Sequence, residues 1–211
     1  MSYLETADTT GIYFEDYGAG QPIVFIHGWP LSAAMWDYQI VPLSRAGFRC
    51  IAYDRRGFGR SDKPDSAYDY ATLAGDLAEL IDELELTDVT LVGFSMGGGE
   101  VIEYLARHNS EGRVTRAMLV SSTAPGMLQT LENPEGVPMS VFEDMRDGLE
   151  NDRPGYIAEF AGKFYGVGLL SQPVSDAILR HACDVAMTAS PIATLQCTRT
   201  FSETSFIADL P

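Results

Sequence analysis

A serine with a glycine two residues away on each side, Gly93-Phe94-Ser95-Met96-Gly97, follows directly on the apolar run Val89-Thr90-Leu91-Val92 and leads at once into a helix-like segment. A strand that turns sharply into a helix forces its central residue into strained backbone, and the neighbours on either side must approach without a Cβ. Gly93 and Gly97 meet that condition. The strain turns the Ser95 hydroxyl outward, where it can attack a carbonyl carbon. The helix behind it offers free N–H groups and the positive end of its dipole to the same point. Such a serine also needs donors for the charge that develops on the carbonyl oxygen. The N–H of Met96 is one. The N–H of Trp29, in His27-Gly28-Trp29-Pro30 after another apolar run, is the second. In other enzymes each donor is worth about 3 kcal/mol of transition-state stabilisation. Pro30 restricts the Trp29 backbone towards extended geometry and so helps to position its N–H and C=O. The bland alternative for Trp29 is a core aromatic, and the two readings are compatible, since the backbone would act while the indole packs.

These groups must be carried to one place. Residues 3–8 and 11–18 read as two short strands. In the second, Ile12, Phe14 and Asp16 alternate with Tyr13, Glu15 and Tyr17, a half-buried pattern. Ile23-Val24-Phe25-Ile26 is continuously apolar, as in a strand buried on both faces. A helix over 33–46, a strand over 48–53 and a helix over 70–86 follow, the last with Leu73, Leu77, Leu80, Ile81 and Leu84 on one face. Then come the strand from Val89, a helix over 98–107 and a strand over 117–121. Strands alternating with helices after an opening hairpin indicate an α/β fold with a mostly parallel sheet. Ligands of such sheets bind at the carboxyl ends of the strands, where 27–30, 54–61 and 93–97 all fall. Ser61 follows no strand directly, so 54–61 reads as a structural turn, and His27 reads as structural too. No Walker A sequence or complete dinucleotide fingerprint occurs.

From about residue 125 the pattern changes. Asn133-Pro134-Glu135-Gly136-Val137-Pro138 is a loop, and helical stretches follow over 140–149, 155–164, 174–186 and 192–201. They read as a helical cap. Residues 1–124 are thus assigned to the core, 125–207 to the cap and 208–211 to the onset of further core. In the cap, Tyr156, Phe160 and Phe164 share a helix face at i, i+4 and i+8. Phe142, Tyr156 and Phe160 are expected to line an apolar pocket above Ser95, and Phe164 to pack.

The chain has 211 residues, with 14 Lys+Arg against 30 Asp+Glu and a formal net charge of −16. That balance repels nucleic acid and anionic membranes. Three scattered cysteines, Cys50, Cys183 and Cys197, indicate a reducing compartment and neither a disulfide framework nor a zinc site. No basic-then-apolar leader and no membrane-length run is present, so a cytoplasmic protein is expected.

On His27-Gly28-Trp29-Pro30, Asp54-Arg55-Arg56-Gly57-Phe58-Gly59-Arg60-Ser61, Gly93-Phe94-Ser95-Met96-Gly97-Gly98-Gly99-Glu100 and 133–138, the chain resembles the α/β-hydrolase superfamily. Within it, the chain is similar over essentially its whole length to the cofactor-free (non-haem) chloroperoxidase, perhydrolase and aryl-esterase group. The resemblance implies an α/β-hydrolase fold with Ser95 as nucleophile and Trp29 and Met96 as the oxyanion hole. It implies small esters or carboxylic acids as substrates, and hydrogen peroxide as an alternative to water, with no metal and no organic cofactor. A proline after the oxyanion tryptophan is a feature of perhydrolytic members. A homo-oligomer stays open. The superfamily's acid and histidine follow the cap in sequence. Here the chain ends at Pro211, where the first strand after the cap is expected, so the last strands, the acid and the base are expected to be missing and activity to be doubtful. His108 lies a whole helix from Ser95, roughly 16 Å at 1.5 Å per residue, and His181 reads as a cap residue. A binding remnant of the fold, a lactonase or a C–C hydrolase are the alternatives.

Overall fold

The computed structural model describes residues 2–168 and 170–209. Leu169 of the expected cap, and residues 210 and 211 of the expected onset of further core, lie outside the described residues. Six strands form one sheet in the order β1-β2-β4-β3-β5-β6. β1 (Ser2–Glu5) and β2 (Gly11–Tyr17) make the opening antiparallel hairpin, and β2 runs antiparallel to β4 (Arg49–Tyr53). β4, β3 (Pro22–Ile26), β5 (Val89–Phe94) and β6 (Val114–Val120) are parallel. The turns after β3, β4 and β5 therefore open on one edge, as the strand pattern predicts.

All five residues of β3 are buried. Alternation sends Val24 and Ile26 to one face, where they meet Leu77, Leu80 and Ile81 of α2 (Tyr70–Glu83) and Val101 of α3 (Met96–Arg107). Ile23 and Phe25 go to the other face, against Trp36 and Ile40. α2 starts where Asp69 accepts a hydrogen bond from the Thr72 N–H, and its apolar stripe is the buried one.

Several expected elements differ in detail. The helix over 33–46 is a 3-10 turn, Ala33–Trp36, followed by α1 (Asp37–Arg45); the Ser32 side chain caps the turn. β6 begins at Val114, before the expected 117. In β2, Tyr13 is buried as well as Ile12 and Phe14, although alternation places it outside. The turn after β4 folds over it: Ser61 Oγ accepts from the Tyr13 N–H at 2.8 Å, and the Arg60 guanidinium lies 4.6 Å from the Tyr13 ring.

Three helices lie over the carboxyl edge: α4 (Met139–Phe164), α5 (Asp176–Met187) and α6 (Pro191–Glu203). The two expected helices over 140–149 and 155–164 form one run, broken at Asp152 (φ −150°, ψ 78°). Asp152 Oδ1 accepts from the Gly155 N–H at 3.0 Å, as a cap does, and Pro154 stands at the second position of the half-helix that follows. The break is thus a helix start without an intervening loop. Trp29, Met96, Phe142, Met145, Ile157, Cys197 and Phe201 make the core between these helices and the sheet edge. No described helix is long and apolar enough to cross a membrane.

Candidate active site

Ser95 joins β5 to α3 with φ 52° and ψ −119°, a conformation costing on the order of 1–3 kcal/mol for a residue with a side chain. The surroundings over-determine it. Its N–H donates to Val120 O at 3.0 Å, and its carbonyl accepts from the N–H groups of Gly98 (3.0 Å) and Thr123 (3.2 Å). The glycines are required by close approach. A Cβ on Gly93 would stand 2.5 Å from Gly97 O, and one on Gly97 would stand 2.6 Å from Ile26 O.

The loop after β3 lies directly against this turn. A Cβ added to Gly28 would be 3.2 Å from the Ser95 Cβ and 2.6 Å from the Phe94 ring. The Trp29–Pro30 peptide is cis. The Trp29 indole N–H donates to Thr194 O at 3.0 Å, and its ring meets Phe160 and Phe201 edge-on at 5.6 and 5.9 Å. The side chain packs under the cap and the backbone is left free. Among the described residues, neither the Trp29 N–H nor the Met96 N–H donates a hydrogen bond. Two unpartnered donors thus stand near Ser95, one on the next residue of the chain and one on the residue after Gly28, which lies against the Ser95 side chain.

Beside Trp29 is a small cavity of about 30 Å³. Trp29, Pro30, Phe94, Phe160 and Phe164 border it. Of the three residues expected to line a pocket, Phe160 alone does so here. Phe142 is buried against Phe201, ring centroids 6.4 Å apart, and Tyr156 stands behind Phe160, stacked on it at 6.4 Å. Phe164, expected only to pack, borders the cavity and meets Phe94 edge-on at 6.2 Å. The i, i+4 row does form, but the helix end, not its start, reaches the site.

A family profile described as the alpha/beta hydrolase fold matches residues 21–163. The chain belongs to that family. A non-haem haloperoxidase of Rhodococcus erythropolis is 41% identical over 211 residues, covering 100% of this chain and 77% of the relative. A bifunctional esterase/perhydrolase of Acinetobacter calcoaceticus is 35% identical over 209 residues, 98% of this chain and 75% of the relative. The crystal structure of a bromoperoxidase from Bacillus anthracis superposes with a TM-score of 0.93 at 40% identity, covering 99% of this chain and 76% of that one. By family this α/β hydrolase is an enzyme, and its relatives are esterases and non-haem haloperoxidases.

The histidines of this hydrolase are placed as follows. His27 is fully buried, and burial, then the Arg55 charge, hold its imidazole well below the usual range. His108 caps the far end of α3 and stacks on Tyr104 at 6.0 Å. His181, on α5, faces a groove shared with Phe94 and Phe164. Among the described residues, no hydrogen bond joins the Ser95 hydroxyl to a histidine or a carboxylate. No group of three or more His, Cys, Asp or Glu is placed to hold a metal ion among them.

Sequence reasoning missed a buried charged network under the turn. Arg55, after β4, pairs with Glu100 of α3 in a site closed to solvent. Glu100 also accepts from the Tyr53 hydroxyl at 2.7 Å. Burial pushes the Glu100 carboxyl up, and Arg55 and Tyr53 pull it back towards the ionised form. A second buried pair, Arg56 with Asp76 of α2 at 2.6 Å, also reaches Asp8 at 2.8 Å. The signal was present in the sequence: two consecutive arginines just after a strand buried on both faces have to find carboxylates.

Proposed function

We propose that the protein is a serine hydrolase acting on small carboxylic esters, with Ser95 as nucleophile and the N–H groups of Trp29 and Met96 as the oxyanion hole. The observation that carries the reading is a strained serine with two backbone N–H groups, of Met96 next to it and of Trp29 in the loop packed against it, that have no partner among the described residues. Attack by Ser95 Oγ on the ester carbonyl moves charge to the carbonyl oxygen. Donors already aimed at that point cost no reorganisation. The oxygen collapses back, the alcohol leaves carrying the proton that Ser95 Oγ gave up, and an acyl-enzyme on Ser95 remains for water or hydrogen peroxide to cleave. In this reading residues 1–124 supply the reacting groups and residues 125–207 the cap. No metal or organic cofactor takes part.

Attack by peroxide gives a peracid, and the esterase/perhydrolase relative supports that outcome. Pro30 positions the Trp29 carbonyl to accept a hydrogen bond from the peroxide. Substitution Pro30→Leu is expected to lower the ratio of perhydrolysis to hydrolysis; an unchanged ratio removes Pro30 from the mechanism.

A second reading is favoured by one observation: Ser95 Oγ has no imidazole or carboxylate partner among the described residues. Without a base the hydroxyl stays protonated, and loss of the base in a triad enzyme costs around a million-fold in turnover. The protein would then bind small acids or esters without turning them over. Intact mass after a fluorophosphonate probe separates the two. A single adduct that disappears in Ser95→Ala supports the hydrolase, and no adduct supports the binding protein.

A further inference from the structure

We propose that Arg55 and Glu100 are positioning residues: acting through His27, they fix the plane of the Gly28–Trp29 peptide and so aim the Trp29 N–H at the same point as the Met96 N–H. The inference rests on the serine-hydrolase reading and adds the groups that hold its two donors in register.

The chain of contacts starts at the His27 tautomer. The Arg55 backbone N–H donates to His27 Nε2 at 3.0 Å, so Nε2 carries the lone pair and Nδ1 the proton. The other tautomer would set one N–H against another. Nδ1–H then donates to Gly28 O at 2.9 Å, and the Leu31 N–H donates to the same oxygen at 3.0 Å. Arg55 Nη1, 3.3 Å from Nδ1, lies beside a donor and makes no bond to it. The Gly28 carbonyl and the Trp29 N–H belong to one planar peptide unit. Two bonds that hold its oxygen therefore also hold the direction of its N–H.

Arg55 is itself placed from α3. Its Nε donates to Glu100 Oε1 at 2.5 Å, a second guanidinium nitrogen pairs with the same oxygen, and Nη2 donates to His27 O at 2.7 Å. Glu100 lies four residues after Met96, one turn along the same helix face. The helix that carries one donor is thereby tied to the loop that carries the other. The two side chains are 1% and 0% exposed. In other proteins an apolar pair of similar volume often replaces a buried ion pair with no loss of stability. What the ionic pair adds is a fork of fixed geometry, which a hydrocarbon cannot supply.

The test uses the full chain labelled with nitrogen-15. In the wild type, His27 is expected to be protonated at Nδ1 and bare at Nε2 from pH 5 to 8. Substitution Arg55→Lys keeps the charge and the backbone N–H but removes the fork. The Trp29 amide resonance is expected to move, and kcat for p-nitrophenyl acetate to fall about tenfold with KM within about twofold, a fraction of the loss seen when an oxyanion donor is removed outright. Glu100→Gln is expected to act in the same direction and serves if Arg55→Lys does not fold. An unmoved Trp29 amide and unchanged kcat in a folded variant overturn the proposal, as does wild-type His27 protonated at Nε2. If the wild type turns over no ester, the hydrolase reading falls, and the Trp29 amide and the His27 tautomer still decide the positioning.

Discussion

β3 and β6 are both apolar, both parallel neighbours of β5, and opposite in their surroundings. β3 is buried at every residue, whereas β6 is buried at Val114 alone, with Met118 57% and Leu119 46% exposed. Charges follow the same division. Near β3 they are dry and paired, as in Arg55 with Glu100, while beside β6 Arg116 and Asp88 pair in open solvent. Apolar content thus does not say where a strand lies; the elements that cover it do. The turn at Ser95 leans on the covered side, where side chains are close-packed.

The sharpest way to break this comparison is to remove one arginine from each side. Arg55→Met is expected to cost about 3–5 kcal/mol in chemical denaturation, because it strands a buried carboxylate. Arg116→Met is expected to leave the midpoint where it is. Equal effects would mean that the two sides are equally solvated. A glycine pair sharpens it further. Gly97→Ala places a Cβ 2.6 Å from Ile26 O, and a loss of about 3 kcal/mol or more is expected. Gly112→Ala, just before β6, has open space around it and only a positive φ of 67° to oppose it, so about 1–2 kcal/mol is expected.

The covered side also carries a pH signature. Native His27 stays neutral, while the unfolded chain takes up a proton as pH falls through about 6.5. The unfolded state then binds more protons, so this contribution to stability is present above pH 6.5 and is lost as pH falls below it. Asp76, pushed up to about 6 by burial against the pull of Arg56, works with the opposite sign below that pH. The difference between wild type and His27→Asn isolates the histidine. It is expected to shrink by about 1.4 kcal/mol per pH unit below 6.5, as read from urea denaturation at several pH values. The smallest effect belongs to the open side. Met118→Lys is expected to reduce concentration-dependent light scattering, since an edge charge opposes strand pairing between molecules, with stability changed by less than about 1 kcal/mol.

Much of the candidate site is read from local pattern. The turn at Ser95 announces itself through Gly93 and Gly97, whose spacing follows from contacts within a few residues, and Trp29 and Met96 follow from their places beside a strand end. The cap aromatics were half legible. The row of Tyr156, Phe160 and Phe164 was visible as a helix face, but which end of it meets the site depended on the break at Asp152 and on how that half-helix lies over Trp29. Tyr13 misled the alternation rule because a loop more than forty residues away covers it.

By itself, then, the amino-acid sequence determined the order of strands and helices and the strained turn at Ser95, since backbone sterics and side-chain periodicity act over a turn or a strand. Only the tertiary structure decided that Arg55 meets Glu100, that the Arg55 N–H meets His27 Nε2, and that Phe164 rather than Phe142 borders the cavity. Those facts depend on contacts between residues far apart in the chain, and such contacts leave no period in a sequence.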